Sequence, residues 1–555
     1  MNKISLYIKS ATVTSLLFVS GGYFSRAQTA EDAFIFGENN YLGSARTMAM
    51  GNAFTALGGD LGSITINPAG SASIGYTVIN ISAGFDHGGS KTVASNAYNQ
   101  SVTYAGRAAF RLPNIGFSFN FNTGNGPLSG VTLAFTSNVS NSYTEQSSTG
   151  GRNSQSSFFR SIANTATNWG ISAEELDKTH CYDNYPFDIC LGYKTFLISP
   201  VQGENSVYAA TTETADETTK KISLRDGGEL QQNWGRDITG YKNDYVFNLG
   251  FNFSEKLFFG ANLGLTTLNR AYEDYFKEAA VDYRKYDCTF YHKDGSKVDT
   301  YWKDGKYSYW INASGIGVYG KFGVLYVPVP WLRLGAAIQT GTTLNINENY
   351  GASSSSTFTN SLFSSNESTG NYSNRYKLIT PMRANFGIAG VIAGRVTLSA
   401  DYELCPYGAM KFRNEKFSNA DSEWDEVNQA IRDTYDIGHI LRFGAEARIN
   451  NALSVRAGYI LNSNPVKLGI DSKNGLKVNH FVNWGKYGEN TFSFGIGYNS
   501  KGSFYADVAA MARVRPTLFV YPYEDVNGGD GIERAPEYVI SRTLWTAALT
   551  VGWRF

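Results

Sequence analysis

Residues 245–265 read YVFNLGFNFSEKLFFGANLGL. Tyr245, Phe247, Leu249, Phe251 and Phe253 take every second position, with Asn248, Gly250 and Asn252 between them. After Ser254-Glu255 the pattern resumes with Leu257, Phe259, Ala261, Leu263 and Leu265. A period of two belongs to the β-strand, whose successive side chains point to opposite faces. Two such runs joined by a short turn read as an antiparallel hairpin. The same period recurs in Ile115, Phe117, Phe119 and Phe121, and in Phe492, Phe494, Ile496 and Tyr498. The composition agrees: aromatics are 14% and there are 58 Gly against 13 Pro, and aromatic side chains suit pleated surfaces.

Two architectures share this pattern. A soluble sandwich turns the apolar face inward. A membrane barrel turns it to lipid and keeps a small, polar face for the lumen. The connections separate the two. Fourteen strands are expected at 76–86, 114–122, 128–138, 243–253, 256–267, 308–327, 331–345, 374–391, 394–411, 437–449, 452–463, 488–499, 502–515 and 542–555. Short turns alternate with the long stretches 87–113, 139–242, 268–307, 346–373, 412–436, 464–487 and 516–541. Short turns on one rim and long loops on the other, with an even strand number, predict an all-β, 14-stranded antiparallel transmembrane β-barrel. A sandwich has no reason to sort its loops this way. Both chain ends then fall on the short-turn, periplasmic side.

The polar faces fit a lumen with internal ion pairs. Leu441, Phe443, Ala445, Ala447 and Ile449 share one side of a strand, and Arg442, Glu446 and Arg448 the other. Arg333, Arg383, Arg456, Asp401 and Glu403 lie on the polar sides of neighbouring strands. The final strand, RTLWTAALTVGWRF, places Trp545 and Trp553 at spacings suited to two interfacial aromatic girdles. It stops on Phe555, which resembles the carboxy-terminal signal read by outer-membrane barrel assembly machinery.

Residues 1–27 have the form of a secretory signal: Lys3 and Lys9, an apolar stretch over 11–20, and small Ser25 and Ala27 before the cut. The apolar run is shorter than the ~20 residues of a spanning helix. No other stretch is long enough either, which argues against a helical inner-membrane protein. Forty-eight basic and 48 acidic side chains give no footprint for nucleic acid. In an exported chain Cys181 and Cys190 either pair across a short loop or remain free thiols. Cys288 and Cys405 complete the set, and no pair has zinc-finger spacing.

Some four dozen residues, 28–75, separate the signal from the first strand at Tyr76. A barrel of this size has a lumen to fill, and a compact insert of tight turns is suited to filling it. The segment 42–70, LGSARTMAMGNAFTALGGDLGSITINPAG, resembles the hatch of FadL-type outer-membrane transporters of long-chain fatty acids and aromatic hydrocarbons. The matching elements are Gly43-x-Ala45-Arg46, Met50-Gly51-x-Ala53-Phe54, Asp60 and the turn Asn67-Pro68-Ala69-Gly70. Residues 323–338 and 380–392 also resemble the family; the long loops do not.

The resemblance implies a signal peptide (1–27), a hatch (28–75) and a barrel (76–555) whose largest loop spans 139–242. It implies passive uptake of hydrophobic solutes such as a fatty acid, an aromatic compound or haem, through an apolar pocket gated by the hatch. No cofactor and no catalytic residues are expected. The surroundings would be the outer-membrane bilayer and its lipopolysaccharide. Gly51, Asp60, Asn67, Pro68, Ala69 and Gly70 are the expected gating elements, and Phe34, Ile35 and Phe36 the expected pocket residues. The competing function is a barrel of the same build acting as a surface receptor or secretion partner. Phe158, Phe159 and Trp169, in a stretch with helical character, form a possible docking groove or simply pack the loop.

Other motifs carry less. GIGVYG at 315–320 fits a dinucleotide fingerprint only if a strand, turn and helix surround it, and here the pattern stays β. Gly315 and Gly317 share a face and are expected to leave lumen space. The five histidines show no HExxH pattern or evident triad, and a membrane hydrolase lacks positive support. Asp525 and Asp530 are solvated loop charges by default, with calcium binding as the alternative.

Overall fold

The computed structural model describes residues 28–555 except 96–100, 125, 216–221, 292–295, 416–420, 468–487 and 529–530. The signal over 1–27, His292, His480 and Asp530 lie outside the described residues.

Fourteen antiparallel staves close into one barrel. They are β1 (Val78–Ser95), β2 (Val102–Asn122), β3 (Leu128–Ser142, resumed at Glu145–Asn153), β4 (Leu230–Phe253), β5 (Leu257–Ala280), β6 (Lys297–Val329) and β7 (Leu332–Gln339 and Thr343–Phe358). Then follow β8 (Tyr372–Ile379 and Arg383–Ile392), β9 (Val396–Pro406 and Lys411–Asn414), β10 (Ile437–Arg448), β11 (Leu453–Asn462), β12 (Glu489–Asn499), β13 (Phe504–Val520) and β14 (Glu537–Arg554). Each stave pairs with its neighbour in sequence, and β1 closes on β14 from Val78 opposite Arg554 to Ser95 opposite Glu537. No sheet edge is left in the wall, which removes the unpaired backbone groups that hydrocarbon does not tolerate. A two-sheet sandwich is ruled out by this closure.

Alternation sets the two faces. In β1 the even positions from Val78 to Ala94 are buried, while Ile79, Ile81 and Phe85 point outward. Phe117, Phe119, Phe247, Leu263, Phe322, Ile388, Phe443, Phe494, Val508 and Leu549 extend the exterior apolar belt around the wall. Trp545 and Trp553 both point outward from β14. Inside, the expected charges meet. Glu403 accepts from Arg383 and, at 2.6 Å, from Arg442. Arg456 bridges Glu446 and Asp507, each at 2.6 Å.

The staves are longer than expected. β1 and β2 run through most of 87–113, β3 and β4 take both ends of 139–242, and the connection between them shrinks to 154–229. Beyond the belt both faces of a stave are polar, so the period-two signal fades while the backbone ladder continues. Gly315 and Gly317 lie within β6 as expected. The space beside Gly317 is filled by Leu344 and the Thr343 carbonyl rather than left as lumen.

Residues 28–75 lie among the inward-facing side chains. Helix α1 (Ala30–Gly37) starts on a Thr29–Asp32 capping box. Helix α2 (Ala45–Ala49) is followed by two 3₁₀ turns, Leu61–Thr65 and Pro68–Ser73. Wall side chains from all round the barrel hydrogen-bond this segment. Thr550 Oγ1 accepts from Ala45 N (2.7 Å) and Asp401 Oδ2 from Thr55 N (2.7 Å). Asn262, Lys321 and Arg333 donate to the carbonyls of Ile64, Thr65 and Leu57, each at 2.8 Å.

Candidate functional site: a cavity between the amino-terminal helix and the loop cap

The hatch-like turns are held by wall glycines as much as by hydrogen bonds. Asn67 caps its 3₁₀ turn by accepting from Ala69 N (3.1 Å), and its amide donates to Thr55 O (2.6 Å) and Val324 O (3.1 Å). A Cβ at Gly323 would stand 2.0 Å from Asn67 Oδ1, and one at Gly260 would stand 2.2 Å from the Pro68 carbonyl carbon. Ala69 is fully buried between β5 and β6 beside Phe258 and Leu325. Gly70 abuts Gly58. Asp60 accepts from Gly62 N (2.8 Å) and Ser44 Oγ (2.7 Å). Gly51 has φ +59° and sits where a Cβ would stand 3.0 Å from the backbone of β10 and β11, so only glycine fits both demands. These six residues therefore gather in the packed lower part of the barrel.

Phe34 and Ile35 sit elsewhere, on α1, facing a cavity of about 1170 Å³ towards the long-loop end. Phe34 stacks on Tyr435 (5.2 Å) and meets Tyr407 edge-on (4.9 Å). Phe36 turns away and is buried with Leu344, Leu378 and Phe412, so it does not line the cavity. The end of α1 is fixed from the wall: Lys242 Nζ donates to Phe36 O (2.8 Å) and Arg383 to Gly37 O (2.7 Å). Cations at a helix carboxy terminus complement its dipole and its unpaired carbonyls.

Opposite α1, residues 182–188 of the 154–229 connection close the cavity. Helix α3 (Phe158–Asn168) anchors this cap. Its first turn is received by Glu278, which accepts from Ser157 Oγ and Phe158 N, each at 2.7 Å. Phe158 packs on Phe276 and Tyr307, and Phe159 on Trp302. Both phenylalanines are buried, while Trp169 is 44% exposed, so the three form no common docking groove. The rings were needed to bury the cap against the extended staves. Helix α4 (Phe187–Lys194) carries the segment's end. Phe187 packs on Tyr372 (5.2 Å) and Tyr350 (6.2 Å), and Tyr372 OH donates to Asp183 (3.1 Å).

The walls between α1 and the cap are aromatic and polar together. Tyr272, Tyr307, Tyr309, Tyr350 and Tyr372 line them, with Arg236, Arg270, Arg515 and Arg542. Arg236 is paired with Asp274 (2.7 Å), and Arg515 and Arg542 share Glu145 (3.0 and 3.3 Å). Arg270 differs. It is 7% exposed, lies over the Tyr272 ring at 5.4 Å, and has no ion pair or hydrogen bond among the described residues. On α1, burial pushes the carboxyls of Glu31 and Asp32 above their ordinary values, and Asp32 adds to the shift of Glu31. Such a cavity can hold a ring or chain against tyrosine faces and an anionic group against Arg270.

Phe34 and Ile35, named from the sequence, line this cavity; Arg270 and the tyrosine wall were not named, and all but Tyr309 lie in stretches read as loops. Among the described residues no group of His, Cys, Asp and Glu side chains is placed to hold a metal ion. Asp525 instead accepts from Ala535 N at 2.8 Å.

No family model and no curated protein matches the sequence. Solved structures similar to the chain include the toluene transporter TodX of P. putida, at 12% identity over 94% of this chain and 99% of that one, TM-score 0.47. A FadL homologue of Pseudomonas aeruginosa is 11% identical over 94% and 100%, TM-score 0.48. The monoaromatic hydrocarbon channel CymD is 11% identical over 92% and 97%, TM-score 0.43.

Proposed function

We propose that the protein is an outer-membrane channel for passive uptake of hydrophobic compounds, with residues 28–75 as the hatch that plugs it. The observation that carries this reading is the tyrosine-walled cavity of about 1170 Å³ bounded by α1 on one side and the loop cap on the other. A solute leaving water for this cavity gains ~0.8 kcal/mol per buried methylene. Conduction then requires that binding stay reversible. The apolar belt of the exterior supports the membrane setting. Movement of α1, held at its end by Lys242 and Arg383, is the gating step in this reading.

The unpaired Arg270 favours the fatty-acid branch over a neutral hydrocarbon. Its charge is shared loosely with Asp32 and Glu31 of α1 while its buried Nε has no hydrogen-bond partner among the described residues, and a ligand carboxylate would supply a charge-assisted hydrogen bond there. Arg270→Gln is expected to weaken oleate binding by roughly 10- to 100-fold, the ~1.5–3 kcal/mol of such a bond, and to leave an alkylbenzene unaffected. Deleting residues 28–37 is expected to impair uptake of labelled oleate into proteoliposomes while the barrel still assembles. If the intact protein admits oleate and alkylbenzene no faster than protein-free liposomes do, the uptake reading is wrong.

A further inference from the structure

The part of the cap that faces the cavity is bracketed by cysteines: residues 181–190 read CYDNYPFDIC, and Tyr182 through Asp188 all line the cavity. The backbone folds the two ends together. Tyr185 N donates to Cys181 O (2.9 Å), Cys190 N donates to Pro186 O (3.1 Å), and Cys190 Sγ lies 3.9 Å from Tyr185 O. The neighbouring Cys190 draws the Cys181 thiol below its ordinary value, and Cys181 together with burial pushes that of Cys190 up. Both are free, and they are 2% and 0% exposed in the cluster that seats α3 and α4. Cys405 belongs to a different cluster, beside α1, and Cys288 lies at the margin of the cap cluster.

We infer that Cys181 and Cys190 are a disulfide-forming pair that locks the cavity-facing segment as a lid. The step is a thiol–disulfide exchange with a disulfide acceptor, a protein dithiol oxidase in the cell or oxidised glutathione in vitro. Cys181 is the first nucleophile, because the Cys190 S–H bond and the nearby Lys194 ammonium favour its thiolate. Its sulfur attacks one acceptor sulfur, the acceptor S–S bond breaks, and an acceptor thiolate leaves. Cys190 then gives its proton to solvent and attacks Cys181 Sγ, releasing the second acceptor thiol. Two thiols have lost two electrons and two protons, and one acceptor disulfide has become two thiols. Burial of both sulfurs confines the exchange to a lifted lid, and re-docking then carries the bond into the packed cap. Ring closure removes freedom from the undocked segment and leaves the docked one as it stands. The inference does not depend on which solute the cavity takes.

The test uses the full barrel in detergent, incubated with oxidised glutathione and digested without reduction. The tryptic peptide 179–194 holds both cysteines. It is expected two hydrogen masses lighter, blocked to iodoacetamide until reduced. Hydrogen exchange across 181–190 is expected to slow roughly tenfold or more on oxidation. A C181S/C190S double variant should keep the barrel's heat stability and lose all redox dependence of that exchange. Glutathione adducts on both thiols without a bridge, or redox dependence that survives in the double variant, would overturn the inference.

Discussion

The two ends of the barrel interior are built on opposite principles. At the short-turn end, residues 39–75 are gripped by wall donors and closed over by wall glycines, so backbone meets backbone with no room to spare. At the long-loop end, aromatic side chains from the cap and the extended staves meet around open volume, and the buried Arg270 Nε has no hydrogen-bond partner among the described residues. The first region is stabilised by pairing most of its backbone and side-chain polar groups with the wall in a confined space. The second is stabilised by burying rings, which fixes a shape while leaving its contents unspecified. The comparison can be broken at either end.

The largest effect is expected in the grip of the short-turn end. Among the described residues Glu403 is the ion-pair partner of both Arg383 and Arg442, and Arg383 in turn holds the Gly37 carbonyl. Glu403→Gln leaves buried guanidiniums uncompensated, at a cost of about 3–5 kcal/mol. It should lower the unfolding midpoint of the reconstituted barrel and loosen α1 together. A midpoint equal to wild type would mean that the wall charges do not fix this end. Next comes Gly335→Ala. Its Cβ would stand 2.0 Å from Thr55 O, and overpacking of this kind costs about 1–3 kcal/mol. Heat-modifiability on gels measures it. An alanine of the same size at Gly390, whose nearest neighbour would be 3.8 Å away, is the control and should be silent.

How legible each end was in the sequence follows from the same contrast. The belt and its register could be read because lipid demands apolar residues on one face and the interior demands small or polar ones on the other, as in Phe247 and Asn248. The turns of 42–70 stood out only through their resemblance to a family's hatch, since Asn67-Pro68 by itself is any turn. Above the belt the demand on the outer face disappears. Tyr272, Tyr307 and Tyr350 then sit in stretches with no period that read as loops, and Tyr309 stands at the very start of an expected strand. Arg270 was invisible for a further reason. Its significance is the lack of a partner in space, and nothing in LNRAYEDY states that. Phe36 shows the limit at single-residue scale: three consecutive apolar residues on α1 cannot all face one way, because a helix turns about 100° per residue.

The smallest effect belongs to the lid and has a sign that the short-turn end should not share. Asp188 opens α4 at the cavity surface, and burial pushes its carboxyl up to about 6 from an ordinary 3.8. Docking therefore favours the neutral acid. Its contribution is fully present below the ordinary value, where docked and undocked lids are both protonated, and is lost as pH rises through about 6. Hydrogen exchange over residues 182–188, corrected for the intrinsic rate, should then quicken between pH 4 and 6.5, on either side of that carboxyl's shift. Asp188→Asn should flatten the profile at the protected level, since the amide is neutral throughout. Exchange over residues 61–73 should stay flat in both proteins, because Asp188 lines the cavity at the long-loop end while those turns pack against β4, β5 and β6 at the other. A lid whose exchange is indifferent to pH, or a hatch that follows it, would mean that the two ends move as one body and that the cavity is sealed from both sides by a single packed unit.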